Sequence, residues 1–358
     1  MKGSIVSNTS KSAGISYRVR DVSDLVMHKR MVEALEAGQS RYPIYRKLRF
    51  AARVELEVLF DAIALDPAWR AERMYTHALM LDGDGVFVSA YGNRKPDYCS
   101  CRFFIWAADP QRAEAAKELI LSKAAATRIR EPMFKINWQF LTGRGEVENA
   151  EIEEMVDEAV IDEAYPEIAG GVKPFIERYL DSKESVLVLQ GPPGTGKTRL
   201  IRAILGEIAR RKDDGETEVV YTGDMRALES DEIFVKFITG WDDAFVVEDA
   251  DHLLKPRCDG NEHLHRFLTI ADGVVRAQGR KIIFSTNLPN VGDLDEALIR
   301  PGRCFARVHV RTLTTEEARI FATKVAAGDP AKLERAAQAF AAPQNRSHSL
   351  ASVYQMLQ

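Results

Sequence analysis

Apolar residues recur at helical spacing over Asp24–Ala37 (DLVMHKRMVEALEA) and over part of Ile44–Ala64, which predicts two helices near the start of the chain. The texture then changes. Tyr75–Leu81 (YTHALML) and Gly85–Gly92 (GVFVSAYG) flank Asp82-Gly83-Asp84 and predict a β-hairpin. Cys101–Ala107 (CRFFIWA) predicts a further strand. Pro110–Thr127 predicts an amphipathic helix with Pro in its first turn, where the missing N–H is no loss. FKINWQFLT and GEVENAEI, either side of Gly143-Arg144-Gly145, predict two more strands. Residues 21–160 therefore read as an α+β domain with a mainly antiparallel sheet, behind a polar tail at 1–20. Trp106, Trp138 and the Phe residues of this region are assigned to core packing rather than to a binding face.

Gly170-Gly171 breaks the pattern and sets a domain boundary near Val160–Gly171. Over residues 165–310 strands and helices alternate, which predicts an α/β domain: a parallel sheet with helices on both faces. Residues 311–358 read as helical and Ala-rich.

Composition changes this picture little. Hydrophobic content of 46% and charged content of 28% are ordinary for a soluble protein. The formal net charge of −4 gives no overall basic field for nucleic acid, although Met1–Arg53 holds 11 Lys/Arg against 4 Asp/Glu. Cys99, Cys101, Cys258 and Cys304 show no metal-ligand spacing, and two strand residues on one face do not bridge, so a reducing, cytoplasmic setting is expected. No apolar run is long enough to span a membrane.

The chemistry begins at Gly191–Thr198, GPPGTGKT, which fits G-x-x-x-x-G-K-[ST]. SVLVLQ before it reads as a buried strand, and Leu200, Ile201, Ile204, Leu205 and Ile208 mark one face of a helix after it. Gly191, Pro192, Pro193, Gly194, Thr195 and Gly196 would wrap backbone N–H groups around nucleotide phosphates, with Arg199 just behind. Lys197 is expected to reach the β- and γ-phosphates of ATP, and the Thr198 hydroxyl to hold Mg²⁺.

Two later strands end in candidate groups. Phe245–Val247 runs into Glu248-Asp249; Glu248 would meet Mg²⁺ through water and Asp249 would polarise the attacking water. Lys281–Pro289 (KIIFSTNLP) ends in Asn287, an amide placed to hold that water or sense the γ-phosphate. Arg300 and Arg303 then flank a Pro-Gly turn and present two guanidiniums.

This order of loop, acids, amide and arginine pair resembles the AAA ATPases of the AAA+ superfamily over about Tyr165–Val310. GPPGTGKT is similar to that family's Walker A motif, and LDEALIRPGR to its second region of homology. The resemblance implies a P-loop NTPase core with a C-terminal helical lid at 311–358. Asn287 would be a sensor residue, and Arg300 and Arg303 would be arginine fingers acting on the neighbouring subunit's nucleotide. It also implies a homo-oligomer, commonly a hexameric ring. Glu248-Asp249 inverts the usual Asp-Glu order; with FLTIADGVV (Phe267–Val275), this is similar to the mitochondrial Rieske-protein translocase branch, whose transmembrane segment has no counterpart here. The segment after the second strand lacks the aromatic–aliphatic–Gly pattern of a polypeptide-gripping loop: Tyr221-Thr222-Gly223 lies too near the strand, and Met225, Arg226 and Ala227 lack the residues. No clear second sensor arginine stands in the lid, Arg346 being the nearest candidate.

The expected function is an ATP-hydrolysing motor that remodels or assembles a protein client. A nucleic-acid motor or loader is the alternative that the basic N-terminus would serve. A nucleotide-switched filament with slow turnover is the alternative that the inverted acid pair would serve.

Overall fold

A computed structural model describes residues 42–130, 133–142, 147–155, 160–212, 217–256, 264–272, 279–290, 294–341 and 346–358, with single positions at Leu25, His28, Lys29 and Val32. The helix expected over Asp24–Ala37 and Cys258 lie essentially outside these described residues. The chain divides into two units, Met1–Arg130 and Glu131–Gln358.

The first unit is a six-stranded antiparallel sheet in the order β2-β3-β4-β5-β1-β6. Its strands are β1 (Ile44–Ala52), β2 (Arg70–Tyr75), β3 (Ala78–Gly83), β4 (Val86–Arg94), β5 (Cys99–Ala107) and β6 (Arg128–Ile129). The sequence placed a helix in part of Ile44–Ala64; the helix is α1 (Leu56–Ala64), and Ile44–Ala52 before it is a strand. Alternation along β5 turns Cys99, Cys101, Phe103, Ile105 and Ala107 inward. There they meet Leu56, Leu59, Phe60 and Ile63 of α1 and Ala113, Ala116 and Ile120 of α2 (Pro110–Ala124). Asp109 caps α2 by accepting from Arg112 N at 2.8 Å, ahead of Pro110.

The second unit is built on a seven-stranded sheet in the order β13-β9-β12-β11-β10-β7-β8. Its strands are β7 (Met133–Leu141), β8 (Val147–Met155), β9 (Val186–Gln190), β10 (Thr217–Thr222), β11 (Ala244–Val247), β12 (Lys281–Thr286) and β13 (Cys304–His309). All neighbours pair in parallel except β7 and β8. Here the structure departs from the domain limits read from the sequence. β7 and β8 belong to this sheet and not to the preceding one, because β7 lies parallel to β10 with Tyr221 beside Trp138.

Helices cover both faces: α3 (Val172–Asp181) and α4 (Lys197–Arg211) on one, α5 (Asp231–Thr239), α6 (Asp251–Leu254) and α7 (Leu264–Asp272) on the other. A sheet buried on both sides needs strands without a polar face. Leu187, Leu189, Ala244, Val246 and Ile283 therefore enter one core layer, and Val186, Val188, Phe245, Val247, Ile282 and Phe284 enter the other. Helices α8 (Thr315–Val325), α9 (Pro330–Ala339) and α10 (Leu350–Met356) join the first of these layers through Phe321, Ala336, Leu350 and Val353. Thr314 and Glu317 form a reciprocal capping box at the start of α8. The chain is thus α/β, a P-loop-type parallel sheet flanked by helices, with a helical C-terminus and an N-terminal α+β unit. Among the described residues no helix is long and apolar enough to cross a membrane.

Candidate nucleotide-binding site

The cleft opens at the C-terminal ends of the parallel strands, where α/β sheets hold ligands. Its volume is about 540 Å³. Strand β9, buried at all five positions, delivers the chain into the glycine loop. Gln190 at its end donates through Nε2 to Leu288 O at 2.8 Å and Asn290 O at 2.9 Å, which ties the loop base to the segment after β12. Gly194 and Gly196 adopt φ of +76° and +97°, left-handed backbone that a side chain disfavours. A Cβ on Gly196 would also lie 2.5 Å from Leu350 Cδ1 and 2.9 Å from the Tyr165 hydroxyl, which itself donates to Gly196 O at 2.8 Å.

Lys197 opens α4 and is nearly buried. Its Nζ donates to Gly191 O at 2.7 Å, Pro192 O at 2.9 Å and Asn287 Oδ1 at 2.8 Å. Burial lowers the pKa of this ammonium, opposed by the charges of Asp249, Asp251 and Glu248. Thr195 is buried and braces the loop by donating to Pro192 O at 2.9 Å. Pro193, Gly194, Gly196, Lys197, Thr198 and Arg199 line the cleft; Gly191, Pro192 and Thr195 are not among its lining residues.

Glu248 and Asp249 follow β11 directly. Thr198 Oγ1 donates to Glu248 Oε1 at 2.5 Å, and the Tyr221 hydroxyl donates to Glu248 Oε2 at 2.6 Å. Burial, and then the bond to Glu248, raises the Tyr221 phenol well above its ordinary pKa, so its proton stays on as the donor. Asp249 has φ of +51°, the sole positive φ outside glycine among the described residues. Ser285 holds that turn, its Oγ accepting from Asp249 N at 3.2 Å and its carbonyl from Ala250 N at 2.8 Å. Asn287 Nδ2 donates to Asp249 Oδ1 at 2.9 Å. Asp251 fixes Asn287 in turn, one Oδ1 accepting from Asn287 N at 2.7 Å and from Thr286 Oγ1 at 2.6 Å.

The structure thus brings Lys197, Thr198, Glu248, Asp249 and Asn287 together. Arg300 and Arg303 are not among the cleft's lining residues. Arg300 is exposed on its turn, while Arg303 donates through Nη1 to Ala297 O at 2.9 Å and through its backbone N to Arg300 O at 3.2 Å. Arg346 is exposed and also outside the lining.

Several residues at the site went unread in the sequence. Tyr165 and Ser285 brace its backbone, and Asp251 stands two residues beyond Asp249 in the same acidic run. From α10, Ala351 N donates to Gly194 O at 3.1 Å, and Tyr354 carries the Arg199 guanidinium 4.3 Å above its ring centroid. Tyr221 is the penultimate residue of β10 and is bonded to Glu248, and Asp224 holds the Arg226 guanidinium in the short 3-10 turn beyond.

The residues fit a magnesium nucleotide. The loop has glycine where a Cβ would collide, a buried ammonium is held by oxygens alone, and a hydroxyl and a carboxylate offer hard oxygen donors of the kind Mg²⁺ takes alongside water and phosphate.

Sheet order and loop together define a P-loop nucleotide-binding protein. Residues 187–312 match the family described as "ATPase family associated with various cellular activities (AAA)". The chain is similar to the "ATP-dependent zinc metalloprotease YME1 homolog" of Caenorhabditis elegans, 31% identical over 169 residues, 45% of this chain and 21% of that protein. It is also similar to the "AAA ATPase forming ring-shaped complexes" of Micrococcus luteus, 26% identical over 202 residues, 46% of this chain and 34% of that protein. The "Proteasome-associated ATPase" of Frankia alni is 26% identical over 226 residues, 50% of this chain and 36% of that protein. The matches span roughly a fifth to a third of the length of these relatives.

Proposed function

We propose that the chain hydrolyses ATP at this cleft and works as a homo-oligomeric ring or spiral that remodels or assembles a protein client. The observation that carries the reading is Asn287, which bonds Lys197 with one amide atom and Asp249 with the other. The phosphate-side cation and the candidate base are thereby held in one frame. Lys197 would move from loop carbonyls to phosphate oxygens. Thr198 and Glu248 would hold Mg²⁺, which when bound supplies positive charge against the phosphates. Asp249 would take the proton of the attacking water, oriented by Asn287. Arg300, exposed and outside the cleft, is free to serve a neighbouring copy, with Arg303 bracing the turn behind it.

Relatives named for ring-shaped complexes and for proteasome association support a ring and a protein client. The Glu248-Asp249 order supports a place near the Rieske-protein translocase branch. The thiols of Cys99 and Cys101, both buried, support a reducing, cytoplasmic setting.

The test is ATP turnover by the full chain against protein concentration, with sizing in ATP. Asp249→Asn should retain ATP and assemble but lose turnover. Full-speed hydrolysis by Asp249→Asn, or by a monomer, would overturn the reading.

A further inference from the structure

We propose that Tyr221 is a positioning residue for Glu248: it holds one carboxylate oxygen so that the other is presented to Thr198, and strand β7 keeps Tyr221 in place. The proposal rests on reading Thr198 and Glu248 as the magnesium side of the site.

A glutamate carboxylate turns through a broad, roughly two-fold torsion, so its two oxygens are interchangeable until something distinguishes them. Here two hydroxyls do so. Tyr221 occupies Oε2 at 2.6 Å, and Thr198 occupies Oε1 at 2.5 Å. An ionised carboxylate only accepts, so both hydroxyl protons point at Glu248 and the arrangement has a single sense. Thr198 can exchange its partner for a cation without releasing Glu248, because Tyr221 still grips the far oxygen.

The phenol is itself held from the outer strand. Trp138 on β7 stands beside Tyr221 in register, its ring perpendicular at a centroid distance of 5.8 Å. Two bonds on the same strand pin the chain just past Tyr221: Thr222 Oγ1 donates to Gln139 O at 3.0 Å, and Leu141 N donates to Asp224 Oδ2 at 3.2 Å. Trp138 is 43% exposed, a large exposure for an indole that packs beside a functional side chain. The strand that extends the sheet beyond β10 thus reaches Glu248 through a single aromatic side chain.

The test measures binding of a fluorescent ATP analogue to the full chain, first in EDTA and then across a magnesium titration. Tyr221→Phe keeps the ring against Trp138 and removes only the hydroxyl. Its affinity in EDTA should equal the wild type's, while the magnesium concentration at half-effect should rise about tenfold, the scale of one hydrogen bond to a charged group. Trp138→Ala should shift the midpoint in the same direction by less, and Trp138→Phe should restore it. An unchanged or lowered midpoint in Tyr221→Phe would overturn the positioning role. Glu248→Gln separates the two levels: a shift there with none in Tyr221→Phe removes Tyr221 alone, whereas a wild type indifferent to magnesium removes the reading of Thr198 and Glu248 as well.

Discussion

Asn287 Nδ2 donates to Asp249 Oδ1 across 2.9 Å, so the amide on one strand tip sets the orientation of the carboxylate on the next. The opposite atom of the same amide accepts from Lys197, which leaves the side chain no alternative flip. Asn287→Ala should therefore cut ATP turnover by about a hundredfold, the scale of a misplaced general base, and leave nucleotide affinity within about threefold. Steady-state kinetics beside equilibrium binding checks the split. Equal losses in both would mean that Asn287 serves binding alone.

Gly196→Ala puts a methyl group where Leu350 and the Tyr165 hydroxyl already sit, on backbone of positive φ. Strain of about 1–3 kcal/mol is expected, relieved by displacing the loop. Nucleotide affinity should fall at least tenfold, with a lowered Tm in the absence of nucleotide. A variant that binds ATP as the wild type does would show that the loop can reshape around α10 at little cost.

Arg300→Ala should leave ATP binding intact and lower turnover by about a thousandfold in the assembled protein, as for a transition-state guanidinium. Lys197→Ala should abolish binding. Mixed in equal amounts, the two inactive variants should regain part of the activity, because some interfaces then join an intact cleft to an intact turn. No recovery in mixed assemblies would count against a guanidinium supplied across subunits.

Lys281 is buried at the start of β12, its Nζ donating to Ser182 O at 2.9 Å and Glu184 O at 3.2 Å above the Tyr179 ring. Burial pulls its pKa down to about 8. Between about pH 8 and the ordinary lysine pKa of about 10.4, the unfolded chain binds the proton more than the folded one does, so this group makes stability rise with pH, by at most about 1.4 kcal/mol per unit. Below about pH 8 the charge is present in both states and the slope vanishes. Lys281→Met should flatten this part of the profile in urea unfolding. An unaltered slope would reassign it to other groups.

The phosphate loop was legible because strand, turn and helix follow one another without interruption, and each leaves its own mark: SVLVLQ, Gly194 with Gly196, and the apolar face from Leu200 to Ile208. Glu248, Asp249 and Asn287 were legible as polar ends of apolar runs. The membership of β7 was not. FKINWQFLT reads as the same strand whichever sheet it joins, and the choice is made by a partner as remote as Thr222, 83 residues from Gln139. Tyr221 was missed for the same reason: its nearness to Glu248 follows from β10 lying parallel to β11 with Tyr221 beside Val246, a register no local pattern announces.

The hairpin of β7 and β8 has a practical consequence for cutting the chain. A fragment begun at Tyr165 would leave β10 as a bare margin, its row of backbone donors and acceptors from Thr217 to Tyr221 open to any passing strand. Such a piece would be prone to stick to itself, and its Tyr221 would have lost its indole neighbour. A fragment begun near residue 131 retains the two outer strands and should remain dispersed, so the minimal nucleotide-binding unit starts some thirty residues before the point its motifs suggest.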